Sequence, residues 1–155
     1  MKYVFLCLSV LLLSLGAHAQ IGSEKETFEF FQVEKKAEYV GGSQEMNIFI
    51  GSNLNYPDNA IECDCEGKVY VEFVIRKNGE VDDVRIARSI IECVGPPIPK
   101  KKDKDKPLID CERAKRSMET ESIRVISSMP DWEPAVIRDK PVNMKFRLPL
   151  MFKLN

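Results

Sequence analysis

The segment of residues 67–90 constrains the fold of this chain more than any other, because its sequence has the pattern of a β-hairpin. It reads GKVYVEFVIRKNGEVDDVRIARSI, with two runs of β-branched and aromatic residues on either side of Asn78 and Gly79. Asn-Gly favours a two-residue type I′ turn, since both positions of that turn need a positive φ. The resulting register places Val71 opposite Ile86 on one face, which predicts a sheet with a buried side.

The last segment of the chain predicts a further antiparallel strand. Residues 142–152 read VNMKFRLPLMF, and apolar residues occupy every second position. Such alternation is typical of a strand with one face in the core. Because Pro149 cannot donate a ladder hydrogen bond, it indicates an edge strand.

Helical patterns lie on both sides of the hairpin. Residues 112–128 repeat apolar side chains at an i, i+4 spacing, which predicts a helix. Ser43 is a candidate cap for an earlier helix, and Tyr56-Pro57 opens a short helical turn. Together these elements predict an α+β fold, in which a small antiparallel sheet of about three strands carries two helices on one face.

The only tryptophan, Trp132, lies between two prolines in the segment SSMPDWEPA. Pro130 is expected to stop the preceding helix, and Pro134 to direct the chain toward the last strand. Because so large a side chain gains much from burial, Trp132 is predicted to fill the core rather than to stack on a ligand.

The N-terminal residues have the order of a secretory signal peptide. Lys2 precedes an apolar run, and the small residues of the sequence AHA end at Ala19. This order predicts that residues 1–19 are a cleaved signal peptide and that the protein is exported. Residues 20–36 are then expected to form an N-terminal tail, and residues 37–155 a single domain.

Composition argues against several classes of function. The chain has 23 Lys and Arg against 24 Asp and Glu, so neither nucleic acid nor an anionic membrane is an expected partner. Its single histidine, His18, lies in the predicted signal peptide. Without it, the exported domain has no Ser-His or Cys-His nucleophile and no His-ligated metal site. We therefore expect no enzyme activity, no cofactor and no metal.

Residues 93–111 are rich in proline and lysine, and we expect them to form a solvated loop inserted into the domain.

The cysteines after the signal peptide are Cys63, Cys65, Cys93 and Cys111. An even number in an exported chain predicts disulfides. Cys63 and Cys65 do not readily bridge each other across one residue, so each is expected to pair with Cys93 or Cys111, in either combination. The hairpin register places Asp64 opposite Cys93. A four-thiolate zinc site lacks its usual spacing, and the acidic neighbours of Cys63 and Cys65 disfavour a reactive thiolate.

The ordered motifs resemble the C-terminal domain of TonB. Tyr56-Pro57 is followed by the Asn78-Gly79 hairpin, the helix ESIRVISSMP, Trp132-x-Pro134 and the strand VNMKFRLPLMF. The resemblance spans residues 37–154. The residues expected to have structural roles are Tyr56, Pro57, Gly79, Trp132 and Pro134.

The resemblance implies that the domain captures an extended segment of an outer-membrane TonB-dependent receptor beside its last strand. This is β-strand addition, in which the free N–H and C=O groups of an edge strand bind an extended peptide. The expected partner-binding residues are Val142, Asn143, Lys145, Arg147, Pro149 and Met151. The same edge could also pair two copies of the chain into a homodimer.

The chain departs from TonB-type transducers because it has no long proline-rich spacer, and because residues 93–111 are an insertion. We therefore expect an exported, periplasmic domain. One alternative is an energy transducer in which residues 3–19 stay uncleaved as an inner-membrane anchor. Another is a thiol-redox protein that uses Cys63 and Cys65. The mature N-terminus tests the first alternative, and a count of free thiols tests the second.

Overall fold

The computed structural model describes residues 26–95 and 111–154. In chain order, its elements are β1 (Thr27–Phe28), β2 (Glu38–Tyr39), α1 (Gly42–Asn53), α2 (Asp58–Glu62), β3 (Cys65–Ile75), β4 (Val81–Cys93), α3 (Cys111–Ser127), β5 (Trp132–Glu133), β6 (Ala135–Ile137) and β7 (Lys140–Phe152). Strand β3 lies between β4 and β7 and is antiparallel to both. The predicted α+β class is confirmed, with three long strands in the described sheet.

One face of this sheet forms the core, as the alternating patterns predict. Along β3 the side chains of Val69, Val71, Phe73 and Ile75 are fully buried. On β7, Met144, Leu150 and Phe152 are buried beside them. These positions recur at every second residue, which is the period that a pleated strand requires.

The hairpin between β3 and β4 differs from the predicted type I′ turn. Only Gly79 of the Asn-Gly pair has a positive φ, and its N–H donates to the carbonyl of Arg76 at 2.8 Å. The turn therefore has three loop residues and a glycine in the left-handed region. Val71 still faces Ile86 as predicted, because a later irregularity shifts the register back.

Two irregularities on β4 set the rest of that register. One lies near Asp83, which has a φ of 50°, and the other lies at Ala87, between the pairs of Val71 and Tyr70. Each adds one residue to β4, as a β-bulge does. As a result Cys65, rather than Asp64, lies opposite Cys93, which corrects the predicted register.

The start of β7 is covered by short strands. β6 pairs with it over Lys140–Val142 through a two-residue turn, in which Arg138 and Asp139 both have a positive φ. β1 pairs in parallel with Asn143 and Met144. The strand thus begins at Lys140, and the segment predicted as an N-terminal tail contributes a strand to the sheet.

Helices α2 and α3 pack together against β3, and α3 also covers β4. The apolar stripe of α3 is buried as predicted, at Ala114, Met118, Val125 and Ile126. Helix α1 lies against β2, where Phe49 contacts the ring of Tyr39. Ser43 is not its cap, because the helix begins at Gly42 after Gly41, which has a φ of 88°.

Among the described residues, no helix is long and apolar enough to cross a membrane. The predicted signal peptide, residues 1–19, lies outside the described residues, as do residues 96–110 of the predicted insertion.

Candidate docking edge

The outer edge of β7 is the edge that faces away from β3. On this edge Asn143 and Met144 pair with β1, whereas β3 lies along the other side from Met144 to Phe152. Within the described part of the chain, no strand pairs with the outer edge of residues 145–152. We call this stretch the open edge.

The open edge is geometrically regular. From Gly67–Phe152 to Ile75–Met144 the pairing of β3 with β7 contains no register shift. A regular strand presents evenly directed backbone groups, which is the template that an added strand needs, although Pro149 has no N–H to donate.

Two of the predicted partner-binding residues are already paired with other strands of the described chain. Val142 is fully buried and lies opposite Ala135 of β6. Asn143 is buried too, and its side-chain Oδ1 accepts a hydrogen bond from the backbone N–H of Lys77 at 2.9 Å. Its Nδ2 donates to the carbonyl of Glu26, also at 2.9 Å. The sequence pattern of β7 could not reveal the pairing of Asn143 with β1, because β1 lies far away in the sequence.

The other four predicted residues lie along the open edge. Lys145 Nζ is 2.6 Å from Glu29 Oε1, and Arg147 Nη2 is 2.6 Å from Glu72 Oε2. Pro149 is exposed, and the side chain of Met151 is 59% exposed. The charged side chains are thus held in place by carboxylates, while the end of the edge is apolar and accessible.

Glu72 lies on the face of the sheet opposite the buried side chains of β3, and sequence reasoning did not identify it as a functional or structural residue. It is only 7% exposed and binds two guanidinium groups, those of Arg85 on β4 and Arg147 on β7. The hydrogen bond from Arg147 holds the pKa of the Glu72 carboxyl below its usual value; burial opposes this shift and the bond from Arg85 adds to it. An acidic residue in an otherwise apolar run of β3 is the sequence signal that could have indicated it.

A groove of about 430 Å³ adjoins the open edge. Its lining includes Phe30, Lys36, Phe146 and Arg147. Lys36 Nζ lies 5.1 Å from the centre of the Phe30 ring. The groove therefore lies between the N-terminal segment and the first residues of the open edge.

The outer edge of β4 is the other long edge of the described sheet, and the sequence analysis did not consider it. It is less regular than β7, because the bulges at Asp83 and Ala87 interrupt it. Bulges twist an edge strand and reduce its capacity to pair with another chain. Arg76 also holds Asp82 and Asp83 in ion pairs at one end of this strand.

The disulfides join Cys63 to Cys111 and Cys65 to Cys93. Neither links Cys63 to Cys65, in agreement with the expected pairing. Both of these residues are fully buried, which is unlike the exposed, electropositive setting of a reactive thiol. Among the described residues, no cluster of His, Cys, Asp and Glu side chains has the arrangement of a metal site.

Tyr56 and Pro57, which were predicted to have structural roles, contact residues at the ends of helices and strands. Tyr56 donates a hydrogen bond to the carbonyl of Cys65, and its ring meets that of Phe152 edge-on at 5.5 Å. Burial raises the pKa of the Tyr56 hydroxyl, with smaller contributions from Glu66 and Asp64. The carbonyl of Pro57 accepts the first hydrogen bonds of α2.

Gly79 and Trp132 meet directly. The backbone N–H of Trp132 donates to the carbonyl of Gly79 at 2.8 Å. A Cβ on Gly79 would lie 2.3 Å from the Trp132 carbonyl oxygen, so this close approach requires glycine. Pro134 lies between β5 and β6.

The family model described as Gram-negative bacterial TonB protein C-terminal matches residues 52–92. This segment resembles TonB. The match covers α2, β3 and β4, and it confirms the family resemblance that the sequence motifs predicted there. Strand β7 lies outside the matched residues. No curated protein matches the chain.

The solved structures similar to this chain include two NMR solution structures of the TonB C-terminal domain of Helicobacter pylori. The first is 17% identical with a TM-score of 0.45, and the alignment covers 72% of this chain and 79% of that one. The second is also 17% identical with a TM-score of 0.39, and the alignment covers 71% of this chain and 90% of that one.

Proposed function

We propose that this protein is an exported TonB-like binding domain that captures an extended segment of an outer-membrane TonB-dependent transporter. The segment adds as a strand to the open edge of β7, and the function belongs to transport across the cell envelope. The TonB C-terminal match over residues 52–92 supports the class of partner. The regular open edge, with which no described strand pairs, is the observation that carries the proposal.

The choice of β7 over β4 rests on regularity. An added strand needs several consecutive backbone groups in one line, and β7 supplies them without a register shift. The bulges of β4 displace those groups at two points.

Pro149 indicates which backbone groups face outward. It lies opposite Tyr70 of β3, and proline in a sheet is tolerated where its nitrogen faces away from the neighbouring strand. Backbone groups reverse direction at each residue of an antiparallel strand. The N–H of Arg147, two residues before Pro149, therefore points outward and is available to a partner.

The test compares two substitutions at one position. Arg147→Pro removes the outward N–H together with the side chain, whereas Arg147→Ala removes only the side chain and its contact with Glu72. Peptides from the N-terminal segments of TonB-dependent receptors would be titrated into each protein by calorimetry. We expect Arg147→Ala to weaken binding mildly and Arg147→Pro to weaken it by about tenfold or more, because it loses a main-chain hydrogen bond and distorts the edge.

Melting curves would first establish that both variants fold. Equal binding by Arg147→Pro and Arg147→Ala would show that the outward N–H is not used and would exclude docking at this edge. If the wild-type protein bound no receptor peptide, the domain would have another client.

A further inference from the structure

The N-terminal segment already occupies part of the edge that the proposed partner would use. Strand β1 pairs in parallel with β7, with Thr27 opposite Asn143 and Phe28 opposite Met144. The Asn143 side chain binds the carbonyl of Glu26 just before this strand. β1 thus ends where the open edge begins.

After Phe28 the chain turns away from β7. The N–H of Gln32 donates to the carbonyl of Glu29 at 2.9 Å, and the N–H of Glu29 donates to the Gln32 side chain at 2.7 Å. The ion pair between Glu29 and Lys145 holds the start of this turn against the first residue of the open edge.

The far side of the turn is fixed as well. The N–H of Glu34 donates to the carbonyl of Val136 on β6 at 3.0 Å, and the N–H of Val136 donates to the carbonyl of Lys35 at 2.8 Å. Between the two attachments, Phe30 and Phe31 are 56% and 72% exposed. Because hydrogen bonds and an ion pair attach it at both ends, the turn is held next to Lys145.

We propose that β1 and the turn of residues 29–32 form a register stop, which fixes where a docked strand must end. This inference rests on the proposed function. Each outward backbone group of β7 can pair with only one strand, and neighbouring strands lie about 4.8 Å apart, so β1 and a partner cannot overlap. The partner is therefore limited to residues 145–152, a length of about 26 Å at 3.3 Å per residue.

The test is the dependence of affinity on peptide length. Nested peptides of about 6, 8 and 12 residues would be cut from the receptor segment that the wild-type protein binds, and titrated into three proteins. Phe28→Pro weakens β1, because proline cannot donate to a neighbouring strand. Phe31→Ala is the control, since it removes an exposed ring of the turn and leaves the backbone of β1 unchanged.

In the wild-type protein and in Phe31→Ala, affinity should rise with length up to about 8 residues and then stay constant. In Phe28→Pro the longest peptide should bind about three- to tenfold tighter than in the wild type, because it can pair with residues 143 and 144 as well. Glu29→Lys, which repels Lys145, should change binding in the same direction and serves if Phe28→Pro does not fold.

Hydrogen exchange at residues 143–145 would verify that β1 is released in the variants. If β1 is released and the length dependence stays that of the wild type, the register stop is wrong while strand addition stands. If no peptide of any length binds to any of the proteins, the proposed function fails and this inference fails with it.

Discussion

At the scale of single residues, Trp132 shows how one side chain organises the core. It is 4% exposed, and its ring contacts Tyr39, Phe73 and Phe146 at centroid distances of 5.4, 5.9 and 5.0 Å. These contacts come from β2, β3 and β7. The predicted role of Trp132 as a core side chain therefore agrees with its position.

Trp132→Ala should lower the free energy of unfolding by about 3–5 kcal/mol, because it leaves a large cavity among these rings. Among the described residues the indole Nε1–H has no hydrogen-bond partner, so Trp132→Phe should cost clearly less. Urea denaturation of both variants measures the difference. An alanine variant as stable as the wild type would contradict the structural role.

Glu72 is a buried carboxylate that binds two guanidinium groups. Its two partners come from the strands on either side of β3, so one carboxylate links all three long strands. Because the folded protein lowers its pKa, the ionised form stabilises the fold.

Glu72→Gln should cost about 1–3 kcal/mol at neutral pH, since it removes charge-assisted hydrogen bonds. A lowered folded pKa gives stability that is present above the unfolded value and is lost as the pH falls through the folded value. The gap between the two proteins should therefore narrow as the pH falls from about 5 to 3. Denaturation at a series of pH values tests this, and a gap independent of pH would contradict it.

At the scale of elements, the disulfides hold four element ends at one place. Cys63 follows α2, Cys65 begins β3, Cys93 ends β4 and Cys111 begins α3. The backbone adds to this junction, since the N–H of Gly95 donates to the carbonyl of Cys63 at 2.8 Å. Both ends of the inserted segment are thus attached to the same turn.

Peptide mapping of the oxidised protein should find Cys63–Cys111 and Cys65–Cys93. Replacing Cys63 and Cys111 together by serine should lower stability by about 2–5 kcal/mol, because the unfolded chain loses a long closed loop. A bridge between Cys63 and Cys65, or free thiols at all of these positions, would contradict the structure.

The conformations of two turns could not be predicted from their own residues. Asn78-Gly79 has the preferred sequence of a type I′ turn, yet the hairpin uses a longer loop there. Arg138 and Asp139 both adopt positive φ in the two-residue turn before β7, although Arg-Asp is not a favoured pair. Each turn also has a non-local contact: Trp132 donates to the Gly79 carbonyl, and the Arg138 N–H donates to the Glu34 carboxylate at 3.0 Å.

At the scale of the whole molecule, the proposal of an exported domain depends on the N-terminus. N-terminal sequencing of the protein recovered from the periplasm should begin at Gln20, because the segment before it has the order of a cleaved signal peptide. An intact N-terminus in the inner-membrane fraction would favour the anchored transducer instead.

The sequence by itself determined the α+β class, the buried stripe of α3, the alternation of β7 and the presence of a hairpin near Gly79. These features follow from the spacing of apolar residues and from turn residues, which are properties of neighbours along the chain. It also indicated an edge strand through Pro149, and a family resemblance that the match over residues 52–92 confirms.

Only the tertiary structure decided which backbone groups remain available. The disulfide partners and the pairing of Asn143 with β1 depend on segments far apart in sequence, and the bulges at Asp83 and Ala87 have no signal in the strand pattern. The resemblance placed Val142 and Asn143 on the docking edge, whereas in the structure Val142 pairs with β6 and Asn143 pairs with β1. The pattern of one strand shows which face is buried, but its free edge is set by whichever strands pair beside it.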